Sequence, residues 1–431
     1  MVTHDRLRIS AMGGIFVILA ILASPSGAFA AASWSQAAVI SASQPSPTLS
    51  AFAVNSAGNE LWVSAPPVVG GYAIKVAQRS FGGTWSPQTT IFSSTNSFIS
   101  TVYKLDVSIG ANNTASVAWQ VGFAELVALR SSSGTWQAPV TISQSSGTAA
   151  FLVAKADAQG NGVAVWSQTT GSESTVDAVT WTASGAFSGV TQLSQLSPSE
   201  LQPDLAVNEA GTAIAVFAAA TTPGGSTYQV YSATRPAGGN WSAATPVTPN
   251  TGGAIAGVAL DSSGDATVLW QQGTSIASST RPVGGSWSSP ALIEMSSIVG
   301  PASVVSDAAG NVTAVWAVNS GNGVTSVHAA TRPAGSPWGA PANLGPCAST
   351  CVLSLAAARD GSIAVVGWSP SGPSANAAVR LGLGTWSSTV LVGTYTTPTY
   401  LVAGNNGFAS AVWPVRIGVK YHVGLDQSDY R

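Results

Sequence analysis

Six arginines hold one repeated place along this chain of 431 residues: Arg79, Arg130, Arg235, Arg281, Arg332 and Arg380 each stand six positions ahead of an aromatic residue. A guanidinium is a planar fork of donors that clamps a carboxylate or lies flat over an indole. Recurrence at a fixed distance from an aromatic favours stacking and bonds to turn carbonyls, with a cation–π contribution of about 0.5–2 kcal/mol. Nine arginines lie beyond residue 30 and six belong to this row, while Trp181 fills the place of a seventh. Arg359, Arg416 and Arg431 are left for gripping an anion.

Other chemistry is thinly represented. His328 and His422 are the only histidines beyond residue 30, and neither has a partner at metal-ligand spacing. Each reads as a satisfied strand residue. No G-x-S-x-G, H-E-x-x-H or P-loop pattern occurs. A glycan hydrolase or lyase needs two carboxylates about 5–9.5 Å apart in a cleft, yet four of the sixteen acids beyond residue 30, Asp157, Asp261, Asp307 and Asp360, fall in turns. Calcium wants six or more oxygens from several carboxylates, and each such turn offers one. No metal, cofactor or catalytic residue is therefore expected. Cys347 and Cys351, the only cysteines, are expected to pair as a local staple between two repeats.

These residues must be positioned by a repeat. The aromatics Trp34, Trp85, Trp136, Phe187, Trp241, Trp287, Trp338 and Trp386 recur every 46–54 residues, and a second series, Trp62, Trp119, Trp166, Phe217, Trp270, Trp316, Trp368 and Trp413, falls between them. The two series take fourteen of the fifteen tryptophans and read as packing anchors; Trp181 is the exception. Around Trp316 the unit reads as a strand at Ala302 to Ser306, a turn at Asp307 to Gly310, and a second strand at Val312 to Val318. A third strand ends at Arg332 and a fourth begins near Trp338. Four antiparallel strands per fifty residues predict an all-β chain, a single β-propeller. The D-x-x-G turn recurs at Asn55, Asp157, Asn208, Asp261 and Asp307, where a side-chain oxygen caps turn N–H groups and glycine supplies positive φ.

The end units set the count. Trp34 carries a fourth-strand signature with no blade before it, and the chain stops at Arg431 after a third strand. Pairing of residues near Trp34 to Val39 with the C-terminal strands would give eight blades closed by the N-terminal strand, leaving no open sheet edge. Seven blades is the alternative.

In repeat style, with an Asp307–Gly310 turn followed by Trp316, the chain resembles secreted bacterial β-propeller repeat proteins of the sialidase-like, Asp-box type, which pair an Asp-containing turn with a Trp. The Asp-box pattern is S-x-D-x-G-x-x-W, whereas here Trp316 follows Gly310 by six residues. A sialidase site would imply three arginines on a carboxylate, a tyrosine nucleophile with a carboxylate partner, and an acid. The repeated arginine row disfavours a conventional sialidase.

Residues 1–30 read as a secretory signal, with Arg6 and Arg8 ahead of an apolar run from Ala11 to Ala23 and a cleavage site after Ala30. That run is shorter than the roughly twenty residues of a membrane-spanning helix. The expected product, 31–431, is secreted, monomeric and without a stable membrane span. Only 7% of the chain is charged, against about a quarter in ordinary domains, as suits strands covered on both faces. Without the leader the net charge is −3 and no basic cluster occurs, so nucleic acid is not an expected partner.

A blade's first-to-second and third-to-fourth strand turns share one face and are uniform here; the opposite loops vary, and variable loops on a rigid scaffold are where binding concentrates. Glu173, Glu200, Asp204, Tyr228, Gln271, Gln272, Glu294 and Tyr395 are the polar candidates on that face or at the channel mouth. The expected function is non-catalytic binding or scaffolding of a glycan, cell-wall polymer or protein. A glycan-active hydrolase or lyase is the alternative.

Overall fold

The computed structural model describes residues 20–22, 33–34, 38–39, 49–95, 101–195, 197, 202–220, 228–247, 255–295, 297–319, 325–347, 351–368, 375–388, 390–393, 400–405, 408–417 and 420–425. No described residue is helical. Six antiparallel sheets of four strands, at 102–141, 148–192, 203–246, 255–295, 297–347 and 353–393, follow a five-stranded sheet at 49–94. A last sheet contains Tyr400–Gly404, Phe408–Ile417 and Lys420–Leu425. We number the sheets one to eight in chain order.

Second strands are built from Val, Ala and a single Trp because both of their faces are covered. Val312–Asn319 is buried at every position but the last. Trp62, Trp119, Trp166, Phe217, Trp270, Trp316 and Trp368 are each at most 1% exposed, so these seven members of the second aromatic series form the inter-sheet core. The first series differs. Trp136, Trp241, Trp287, Trp338 and Trp386 are only partly buried, and sheet six begins its fourth strand at Ala342 rather than at Trp338. A backbone bond from Gly339 N to Thr331 O holds the Trp338 segment against the third strand first.

The D-x-x-G turns behave as their residue types require. Asp307 Oδ1 accepts from Ala309 N and Asn311 N at 3.0 and 2.9 Å, and Asp157, Asp261 and Asn55 accept from the equivalent amides. Gly310 closes its turn at φ +84°.

These turns also join sheet to sheet. Asn55 Nδ2 donates to Gly110 O, Ala111 N to Ala158 O, Ala158 N to Glu209 O, and Asn208 Nδ2 to Asp261 O. Ser262 Oγ donates to Ala308 O, Ala308 N to Arg359 O, Asp360 N to Asn405 Oδ1, and Asn405 Nδ2 returns to Ser56 O. First strands of successive sheets pack side by side, and Tyr400–Gly404 of sheet eight packs beside Leu49–Val54 of sheet one. The sheets thus succeed one another around an axis lined by their first strands.

Near the ends, Ala38 stands opposite Leu425 and Val39 opposite Gly424. The expected leader lies outside the described residues except for Ala20–Leu22, which pairs with Ala409 and Ser410. Cys347 and Cys351 are disulfide-bonded between the last strand of sheet six and the first of sheet seven.

Candidate functional site

The arginine row sits where the third strand of each sheet ends, over the partly buried tryptophan six residues later. Arg79, Arg130, Arg281, Arg332 and Arg380 lie 5.1, 5.7, 5.3, 5.9 and 5.6 Å from the ring centroids of Trp85, Trp136, Trp287, Trp338 and Trp386. Most of these guanidinium groups also reach a fixed acceptor. Arg332 Nη2 donates to Thr267 Oγ1 at 3.0 Å, and Arg380 Nη2 to Thr313 Oγ1 at 2.8 Å. Both acceptors belong to the preceding sheet. Arg130 bonds Gln78 of the preceding sheet and Asn113 O of its own, and Arg79 forms a buried ion pair with Glu60. Arg130, Arg332 and Arg380 thus staple one sheet to the next.

Two members lack such a partner. Among the described residues neither the Arg235 nor the Arg281 side chain makes a hydrogen bond, and Arg281 Nε is buried without a partner. In strand register, Ile214 occupies in sheet four the place that Thr267 and Thr313 occupy in sheets five and six, and Val163 occupies it in sheet three. A branched hydrocarbon cannot accept. Burial lowers the pKa of Arg281 from its ordinary value, but a guanidinium remains protonated in proteins.

Both unbonded arginines line clefts between sheets. Arg281 and Trp287 face a cleft of about 790 Å³ with Gln229, Ser242, Thr245 and Ser286. Arg235 faces one of about 410 Å³ with Trp181, Phe187 and Asp157. A third cavity, about 310 Å³, occupies the channel mouth on the uniform-turn side, where Arg359 Nε meets Glu209 Oε1 at 3.2 Å.

The residues singled out from sequence do not converge. Asp204 lies on a first strand, accepting from Leu205 N and from Val258 N of the next sheet, both at 2.9 Å; burial raises its pKa against these bonds. Asp106 accepts from Ala154 N in the same way at 3.1 Å. Glu294 accepts from Trp316 Nε1 at 2.6 Å and meets His328 Nδ1 at 2.9 Å, while His328 Nε2 lies 3.1 Å from Ser326 Oγ. His328 is thus a satisfied strand residue. Gln271 Nε2 bonds Gly273 O of its own loop at 3.0 Å, and Gln272 Oε1 is buried without a partner. Glu173 is exposed and Tyr228 half-buried, each opening a third strand. Glu200 and Tyr395 lie outside the described residues.

Sequence reasoning missed two features. It treated the six arginines as equivalent, although Ile214 and Val163 were legible as departures once second strands were aligned on Thr267. It also passed over Glu125, fully buried with both carboxylate oxygens unpartnered. Desolvation and then the Asp106 charge push its pKa up to about 8, opposed by Lys104.

One solved structure shows the fold. The BP39L lectin from Burkholderia pseudomallei superposes with a TM-score of 0.54 over 81% of this chain and 100% of its own, at 14% identity. The chain is a β-propeller. The six-bladed lectin of Aleuria aurantia is 16% identical over 70% of this propeller and 96% of its own chain, with a TM-score of 0.40. A puromycin hydrolase aligns at 13% identity over 84% of this propeller and 58% of its own chain, with a TM-score of 0.48. No family model and no curated protein matches the sequence.

Proposed function

We propose that this protein is a secreted, non-catalytic carbohydrate-binding β-propeller, an eight-bladed ring closed by its N-terminal strand. The cleft between sheets four and five carries the binding reading. It combines an indole, a guanidinium without a protein acceptor, and the hydroxyl and amide groups of Ser242, Thr245, Ser286 and Gln229. An aromatic body with a few convergent polar groups is the usual make-up of a small-ligand site. That the BP39L propeller is a lectin supports the same reading. Closure is supported by the pairing of Val39 with Gly424, by the bond from Ser410 Oγ to Glu60 Oε1, and by the return of the turn bonds from Asn405 to Ser56. Secretion is supported by the apolar leader pattern and the disulfide.

The test is a glycan and polysaccharide array probed with the secreted protein. Binding is expected, lost in Trp287→Ala and retained in Tyr228→Ala and Glu173→Ala, which alter the loop side. Loss in the loop variants alone would move the site to the variable face, and no binding to any glycan would remove the carbohydrate reading.

A further inference from the structure

The two unbonded arginines differ in their surroundings. Asp157 lines the Arg235 cleft and supports that guanidinium electrostatically. None of the residues lining the Arg281 cleft is acidic. Arg281 is therefore a half-buried fork of donors, one face held by Trp287, with neither an acceptor nor a counter-charge from its own cleft. Thr331, which accepts from Arg380, has its counterpart in Thr234, which lines this cleft and donates to Ser242 Oγ at 3.4 Å but takes no hydrogen bond from Arg281. Neutral polar groups around the cation suit the hydroxyls of a sugar ring, while the guanidinium fork matches a carboxylate in bidentate fashion.

We propose that the cleft between sheets four and five selects acidic saccharides, the ring carboxylate of a hexuronate docking on Arg281 while Gln229, Ser242, Thr245 and Ser286 face the hydroxyls. This rests on the carbohydrate-binding reading above and names its ligand class. The Arg235 cleft, with Asp157 already beside its cation, is an internal control.

The experiment is calorimetric titration of the whole protein with galacturonate, glucuronate and guluronate oligomers, each beside its methyl ester, which keeps the ring and removes the charge. At least one acid should bind about tenfold or more tighter than its ester, the ratio expected when a charge-assisted bond is added. Arg281→Gln should abolish that ratio by weakening the acid far more than the ester, whereas Arg235→Gln should leave the ratio intact. Ile214→Thr supplies the hydroxyl that Thr267 and Thr313 supply to the next sheets; it should capture the guanidinium and lower acid affinity without removing the charge. Unfolding midpoints of all variants identify any that are simply misfolded. Equal binding of acid and ester, or a ratio that survives Arg281→Gln, overturns the acid preference; neutral glycans still bound on the array would leave the broader reading standing. Sulfated galactan bound in place of every uronate would also overturn the carboxylate assignment.

Discussion

Gly162 stands directly opposite Trp181 in the register of sheet three, and a Cβ added to Gly162 would lie 2.1 Å from indole Cζ2. The equivalent pairs are Ala115 with Arg130, Ala213 with Arg235 and Ala266 with Arg281. Sheet three has exchanged a small residue and an arginine for no side chain and an indole, which is 2% exposed and packs on Phe187 with centroids 6.2 Å apart. Gly162→Ala should destabilise by about 1–3 kcal/mol, the usual penalty of overpacking, and adding Trp181→Arg should restore most of it. Thermal unfolding of the single and double variants measures both.

That pair marks where sequence reading stops. The period of the tryptophans, the D-x-x-G turns and the strand order within a repeat were all legible, because each depends on residues close in sequence. Trp181 was legible only as an exception: its explanation needs the cross-strand register, and Gly162 resembles many other glycines until its partner is known. Likewise Arg281 looks like every other arginine in the row until Ile214 is placed beneath it in the preceding sheet. Site residues here are set by contacts between repeats, which the repeat pattern itself does not encode.

Glu125 should make stability depend on pH. Its pKa is raised from 4.5 to about 8, chiefly by burial. Between those values the folded state holds a proton that the unfolded state has released, so stability is full below about pH 4.5 and falls as pH rises towards 8. Glu125→Gln should flatten that fall, a matter of a few kcal/mol. Denaturant titrations at acid and alkaline pH give the slope.

The turn carboxylates should act by hydrogen bonding rather than by charge. Asn55 takes the same backbone amide bonds as Asp307, so Asp307→Asn should lose only the bond that Asp307 Oδ2 accepts from Asn311 Nδ2, about 1 kcal/mol. Asp307→Ala leaves two backbone amides and the Asn311 side-chain amide without their acceptor and should cost more, about 1–3 kcal/mol. Gly310→Ala should add strain of its own at φ +84°. Chemical denaturation of the three variants separates these effects.

Glu60 ties the first sheet to the last. It is 1% exposed, pairs with Arg79 and accepts from Ser410 Oγ at 2.7 Å. Glu60→Ala should destabilise by about 3–5 kcal/mol, because it strands a buried guanidinium. Glu60→Ala with Arg79→Leu should recover a substantial part, since no buried charge is then left alone. A double-mutant cycle on unfolding free energies gives the coupling.

The hydrogen-bonded series Ser326, His328, Glu294 has the order of a nucleophile, a base and an orienting carboxylate, and it is the observation that most favours a hydrolase. Two features argue for a structural role instead. Ser326 is only 4% exposed, and Glu294 also accepts from the buried Trp316 indole, which joins the fourth strand of sheet five to sheet six. His328→Gln should therefore lower the unfolding midpoint without altering glycan binding, and a fluorophosphonate probe should leave the protein unlabelled. Labelling that disappears in Ser326→Ala would instead establish a reactive serine and shift the function towards ester or glycan-ester hydrolysis.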